Sequence, residues 1–308
     1  MIRTSLRQLE YFEALAETLH FGRAAALCGV TQPALSAQIA ELEEVLGCRL
    51  FNRARRAVSL TEEGHILLPQ ATSILQAARS LESSGQRPSS MQGRFRLGLI
   101  PTIAPYLLPP LLPALRETFP AFQLELREAL TPHLTGALLA GEIDAFIAAL
   151  PIEERQLTAT PLFVESFFLA VPASDPDFIA PPVPPDSPAL ERLMLLEEGH
   201  CLREQALAVC TQVKPVAMKR FGATSLTTLL QMVANGLGVT LIPQMAVPSA
   251  DTIAGLKIVP FAAPAPTRAI ALFQRRNGLR RDECDTLAGL IRETWKASEQ
   301  AGRGVLPG

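Results

Sequence analysis

Histidine and cysteine are scarce in this chain, four of one and five of the other among 308 residues. They fall at no recurring ligand spacing, so no metal site is expected. Long apolar runs are also missing. The most apolar stretch, "LTGALLAGEIDAFIAALPI", is broken by Glu142 and Asp144 and falls short of a membrane span. The opening "MIRTSLRQLEYFEAL" has no apolar core followed by a small-residue cleavage site, so no secretory signal is expected. Basic excess is absent too: the net charge is -2, and any nucleic-acid partner must be recognised by a local patch. These absences point to a cytoplasmic protein with no membrane partner and no cofactor. Its cysteines should rest as thiols there, so that a disulfide would be conditional rather than structural.

What is present is an ordinary soluble composition, 48% hydrophobic and 19% charged, long enough for two domains each with its own core. Residues 6–64 read as short helices with tight connections. "LRQLEYFEALAE" has apolar positions close to helical spacing, and "FGRAAALCGV" ends at Gly29. "TQPALSAQIAELEEVLG" opens on Thr31 as N-cap, carries Pro33 in its first turn and closes at Gly47. Helix, turn and helix form the helix-turn-helix pattern. Such a motif reads bases from the start of its second helix, here Thr31, Gln32, Pro33, Ala34 and Ser36, with Gln38 one turn on. Arg49, Arg53, Arg55 and Arg56 follow within eight residues, as a wing beside the phosphate backbone. A plain helical bundle with a solvated arginine run is the competing reading of the same pattern. A capped helix then runs from about Glu62 to Leu81 with Thr61 as N-cap, and the polar "SSGQRPSSMQG" reads as a linker.

From Arg94 the texture alternates strand and helix. "RFRLGLI", "FQLELREA", "DAFIAAL", "SFFLAVP", "LMLLEE", "VTLIP" and "TRAIALFQR" read as strands. "HLTGALLAGEI", "SLTTLLQMVANGLG" and a segment from Cys284 to about Trp295 read as helices. The alternation implies an α/β domain with largely parallel sheets. "APPVPPDSPA" is taken as a surface loop inside it.

The series "AA…V-T-Q-P-A-L-S-x-Q-I-x-x-L-E…L-G-x-x-L-F-x-R…L-T-x-x-G", spread over roughly sixty positions, closely resembles the LysR-type transcriptional regulators. The resemblance implies a winged helix-turn-helix at 1–64 and a linker helix and hinge at 65–93. It also implies an effector domain at 94–308 of two α/β lobes of the periplasmic-binding-protein type. Lobe I would comprise about 94–164 and 268–308, and lobe II about 165–267. The partners it implies are promoter DNA and a second copy of the chain, paired through the linker helix and doubled into a tetramer. RNA polymerase is a further partner of such regulators.

Within that family "LLEEGHCLREQALAVC", "LIPTIAPYLLP", "REALTPHLTGALLAGEIDAFIAAL" and "FGATSLTTLLQMVANGLGVTLIP" resemble the peroxide-sensing OxyR branch. The resemblance makes Cys201 and Cys210 a redox pair, Cys201 passing through a sulfenic acid that Cys210 captures as a disulfide. Their spacing suits a switch. Nine residues of helix separate two Cα atoms by ~13 Å, whereas a disulfide needs about 7 Å or less. Cys201 begins the helix, where backbone amides, His200 and Arg203 favour a thiolate and Glu197 and Glu198 oppose it.

The resemblance places hydrogen peroxide among Thr102, Thr131 and His200, with Arg268 as an addition. Each threonine read alone is more ordinarily a helix cap or turn former. Cys28, Cys48 and Cys284 fit no redox-active block, and the first two are expected to pack inside the helix-turn-helix. Gly222 and Thr227 stand where the branch has an arginine and an acid, and Pro215 constrains the segment that must rearrange. The resulting expectation is a peroxide-responsive DNA-binding regulator rather than an enzyme. The alternatives are a regulator whose organic effector fills the cleft between lobes, and a thiol peroxidase.

Overall fold

The computed structural model describes residues 3–54, 57–84, 91–174, 181–184, 187–209 and 223–302, and the chain divides into two compact units, 1–88 and 89–308. The first unit is three helices, a hairpin and a long helix. Helix α1 (Leu6–Thr18) starts at a reciprocal cap: the Ser5 hydroxyl accepts from the Gln8 amide while the Gln8 side chain accepts from the Ser5 amide. Helix α2 (Phe21–Leu27) is capped by His20, whose Nδ1 accepts from the amides of Gly22 and Arg23 at 3.1 and 3.2 Å.

After the turn at Gly29, which takes φ +65°, α3 (Gln32–Leu46) runs to Gly47 at φ +71°. Thr31 sits at the N-cap of α3, as expected, but its side chain makes no capping hydrogen bond. Leu9, Phe12, Leu15, Leu35, Ile39 and Leu42 close the core, and Phe12 meets Phe51 edge to face with ring centres 5.6 Å apart. Strands β1 (Phe51–Ala54) and β2 (Ala57–Leu60) form the wing. Glu43 ties α3 to it by accepting from the amides of Leu50 and Phe51.

Thr61 caps α4 (Glu62–Ser84), its hydroxyl accepting from the Gly64 amide at 2.9 Å. The helix continues to Ser84, past the Leu81 limit that periodicity marks. Its inner face buries Ala71 and Leu75, while Ile66, Ile74 and Leu81 lie exposed seven or eight residues apart on the other side.

The second unit holds β3 (Gly93–Leu99), α5 (Ala104–Thr118), β4 (Phe122–Glu128), α6 (Thr131–Leu139) and β5 (Ala145–Ala149). Next come the long β6 (Leu157–Pro172), α7 (Cys201–Val209), α8 (Leu226–Ala234), β7 (Thr240–Pro243) and α9 (Val247–Ala250). Then β8 (Leu256–Pro260), β9 (Thr267–Arg275) and α10 (Arg281–Gly302) complete it. The expectation of largely parallel sheets is corrected here. Among the described strands β3 pairs in parallel with β4 and β5, whereas β9 returns antiparallel between β5 and β6, and β6 pairs antiparallel with β7 and β8. The "LMLLEE" segment forms isolated bridges from Leu193 to Val239 and from Leu196 to Ala223 instead of a ladder.

Strand β6 is the spine of two lobes. Its residues up to Ser166 pair with β9 over a core built from Phe95, Leu111, Phe146, Phe273 and Leu287. Its residues from Phe167 onward pair with β7 and β8 over a second core of Leu169, Leu230, Val233 and Ile242. The Pro-rich stretch is anchored where it is described, since Val183 bridges Phe261 and Ser187 is buried. No helix among the described residues is long and apolar enough to cross a membrane.

Candidate functional site

Cys201 is the first residue of α7, in the second lobe, yet its side chain packs against the core of the first. Backbone hydrogen bonds reach its sulfur from Ala149 at the end of β5, and from Leu202 and Cys201 itself at the start of the helix. A narrow recess beside it is lined by Ile100, Pro101, Thr102, Leu130, Thr131, Gly199 and His200. The structure therefore gathers Cys201, Thr102, Thr131 and His200, far apart in sequence, around one small space. Gly199 takes φ +91° there, and a Cβ on it would stand 3.0 Å from Leu130 Cδ1.

Arg268 stands behind this recess. It is 3% exposed and forms an ion pair with Glu165, 1% exposed, through Nε and Nη2, both 2.8 Å from Oε1. Glu165 Oε2 accepts from the Met245 amide at 2.8 Å, so each carboxylate oxygen of this buried charge is satisfied. Arg268 Nη1 donates to Thr102 Oγ1 at 3.1 Å, and Nη2 donates to the Thr102 carbonyl at 3.2 Å. A hydroxyl that accepts from a guanidinium still has its own hydrogen to donate. Thr131 Oγ1, on the first turn of α6, is buried without a hydrogen-bond partner among the described residues. A buried hydroxyl beside the Cys201 sulfur with its own hydrogen bonds unmade keeps its full capacity to donate and accept.

Burial pushes the Cys201 thiol above its ordinary value. The Arg268 charge and the backbone bonds from Ala149, Leu202 and Cys201 pull it back only in part. The supporting cation is thus Arg268, from β9, rather than the neighbours His200 and Arg203. Arg203 donates instead to the Leu196 carbonyl at 2.9 Å. Burial lowers His200, against a smaller opposing pull from Glu197, and favours the neutral ring. Gln205, one turn along α7 from Cys201 and on the same face by its i, i+4 spacing, also has a buried amide oxygen with no partner among the described residues.

Cys210 lies outside the described residues. Helix α7 runs from Cys201 to Val209, which puts those two Cα atoms about 12 Å apart.

On α3, Gln32, Pro33 and Ala34 are exposed, as is Thr31 before them, with Ser36 and Gln38 half-buried on its flanks. Arg53 lies on β1, its side chain not described, and Arg55 and Arg56 are outside the described residues. Cys28 and Cys48 pack on the first unit's core, and Cys284 is buried with its thiol pushed up to about 12. Pro215 and Gly222 lie outside the described residues, and Thr227 is an exposed residue of α8 whose hydroxyl faces Tyr106 of α5.

Two family models match the chain: the bacterial regulatory helix-turn-helix protein of the lysR family over residues 6–65, and the LysR substrate binding domain over 88–296. The chain is 42% identical over 289 residues to the DNA-binding transcriptional dual regulator OxyR of Escherichia coli K12, covering 94% of this chain and 95% of that protein. It is 37% identical over 294 residues to the hydrogen peroxide-inducible genes activator of Haemophilus influenzae, covering 95% and 98%. Among solved structures, a full-length OxyR variant from Pseudomonas aeruginosa superposes with a TM-score of 0.78 at 36% identity, covering 95% of this chain and 96% of that one. A peroxide-bound OxyR mutant from Corynebacterium glutamicum gives 0.67 at 34% identity, covering 99% and 96%. The chain belongs to the LysR family of transcriptional regulators, in its OxyR branch.

Proposed function

We propose that this protein is a hydrogen-peroxide-sensing, DNA-binding transcriptional regulator whose sensor is Cys201. The observation that carries this reading is the seat of that cysteine. It begins a helix of one lobe, is lodged in the other, and borders a recess with two threonine hydroxyls and an imidazole. Thr102, held by Arg268, donates to the peroxide, and Thr131 and His200 complete its hydrogen bonding. The Cys201 thiolate attacks one peroxide oxygen, breaking the O–O bond and leaving Cys201 as a sulfenic acid, with water as the second product. The Cys210 thiolate then attacks that sulfur, a second water leaves, and the Cys201–Cys210 disulfide forms.

Because the bond is out of reach across an intact α7, closing it unwinds the helix and withdraws Cys201 from the first lobe. The second lobe is thereby the bistable element. Cellular dithiols reverse the step. The molecule acts as a regulator in the cytoplasm and not as an enzyme, with residues 1–64 reading promoter DNA, 65–93 linking and 94–308 sensing.

Thr31, Gln32, Pro33, Ala34, Ser36 and Gln38 face bases, and Arg53, Arg55 and Arg56 face phosphates. The outer stripe of α4 at Ile66, Ile74 and Leu81 pairs two copies, and two such pairs form the tetramer that addresses DNA and RNA polymerase. Cys201→Ser tests the reading directly. Transcription from a responsive promoter should lose its answer to peroxide, and an undiminished answer would discard the sensor assignment.

A further inference from the structure

The base-reading helix carries an acidic residue whose role the DNA-binding reading does not explain. Helix α3, "QPALSAQIAELEEVL", contains no lysine or arginine and three glutamates. Glu43 is committed to the wing amides of Leu50 and Phe51, but Glu41 is exposed. Beside a duplex, an exposed carboxylate repels phosphate and weakens binding to any sequence. Glu41 bonds instead within the same helix: Gln38 Nε2 donates to Glu41 Oε2 at 2.9 Å, an i, i+3 pair. The exposed positions around that pair are the small, apolar Pro33, Ala34, Ala37 and Ala40 and, one turn beyond Glu41, Glu44. Hydrogen-bonding readout by this helix therefore falls on very few groups.

A carboxamide can present either end, and its rotation by half a turn exchanges donor for acceptor. A carboxylate accepts and does not donate, so it admits only the NH2 end of Gln38. We propose that Glu41 is a positioning residue for DNA readout, fixing the Gln38 carboxamide with its oxygen turned away from Glu41 and one N–H still free. That presentation, one acceptor beside one donor, matches adenine, whose N6 amino group donates and whose N7 accepts. Glu41 thus trades general affinity for discrimination at one base pair. The proposal rests on the reading of α3 as the DNA-reading helix.

The test uses the reduced full-length protein and the duplex that it selects from a randomised double-stranded pool. Single base-pair substitutions of that duplex are titrated against wild type, Gln38→Ala, Glu41→Ala and Glu41→Gln. Gln38→Ala and Glu41→Ala should lose discrimination at one and the same base pair, by roughly 5- to 150-fold. Glu41→Gln should lose less of it, because its side-chain carbonyl can still accept from Gln38, although its NH2 end can also face the Gln38 oxygen and no longer excludes the turned orientation. Both Glu41 variants should bind unrelated DNA more tightly and to a similar degree. Full discrimination by Glu41→Ala where Gln38→Ala has lost it would overturn the clamp while leaving α3 as the reader. So would equal losses in Glu41→Ala and Glu41→Gln, since charge alone would then be at work. Failure of the wild type to select any sequence would remove the reading of α3 and the clamp with it.

Discussion

Arg268 and Thr102 are joined twice, Nη1 to the hydroxyl at 3.1 Å and Nη2 to the carbonyl at 3.2 Å. The arginine thereby fixes both the position of Thr102 and the direction in which its hydroxyl can donate. Thr102→Val keeps the shape and removes that donor. Oxidation of Cys201 by peroxide should slow roughly 10- to 100-fold, the scale of one hydrogen bond to a developing charge. Thiol loss followed under excess peroxide measures it, and an unchanged rate would place Thr102 outside the reaction.

The Cys201 thiol, raised by burial above its ordinary 9.0, should leave only a small thiolate fraction at neutral pH. The rate of oxidation should therefore climb with pH and go on climbing beyond about pH 9. Arg268 is the main charge holding the thiol down. Arg268→Gln should move the profile to still higher pH, and Arg268→Lys, which keeps the charge, should move it less. Superimposable profiles for the three proteins would contradict this assignment.

Stability should carry the signature of His200, whose folded-state value lies below the ordinary 6.5 because the ring is buried. As pH falls through 6.5 the unfolded chain takes up the proton first. The stabilising contribution is whole above that point and is lost as pH drops below it. Denaturant midpoints measured from pH 8 to 5 should fall for the wild type and fall less for His200→Gln. Parallel curves would count against a buried neutral ring.

Gly199 sits at φ +91° with Leu130 Cδ1 3.0 Å from where a Cβ would be. Gly199→Ala should cost about 1–2 kcal/mol from the left-handed backbone and lower Tm by a few degrees. It should also slow oxidation by narrowing the recess. A thermal melt paired with the oxidation rate checks both effects.

Much of this fold was legible because its signals are local. Gly29 and Gly47 stop two helices where their positive φ requires glycine, and Thr267–Arg275 shows its strand at its actual limits. Strand direction was not legible, since β9 inserts antiparallel between β5 and β6 through pairing that no local pattern encodes. The first half of β6 was missed because Pro161 interrupts it at a register shift. The site was legible in part. Cys201, Thr102, Thr131 and His200, named from the resemblance, line one recess, but the Arg268–Glu165 pair joins residues 103 apart and is visible only when folded.

The central claim is that Cys201 and Cys210 close a disulfide that an intact α7 forbids. A non-reducing peptide map before and after mild peroxide tests it most directly. The account predicts two free thiols before exposure and a 201–210 cross-link after it, reversed by a dithiol. Recovery of both cysteines as free thiols after exposure, with transcription still responding to peroxide, would contradict it.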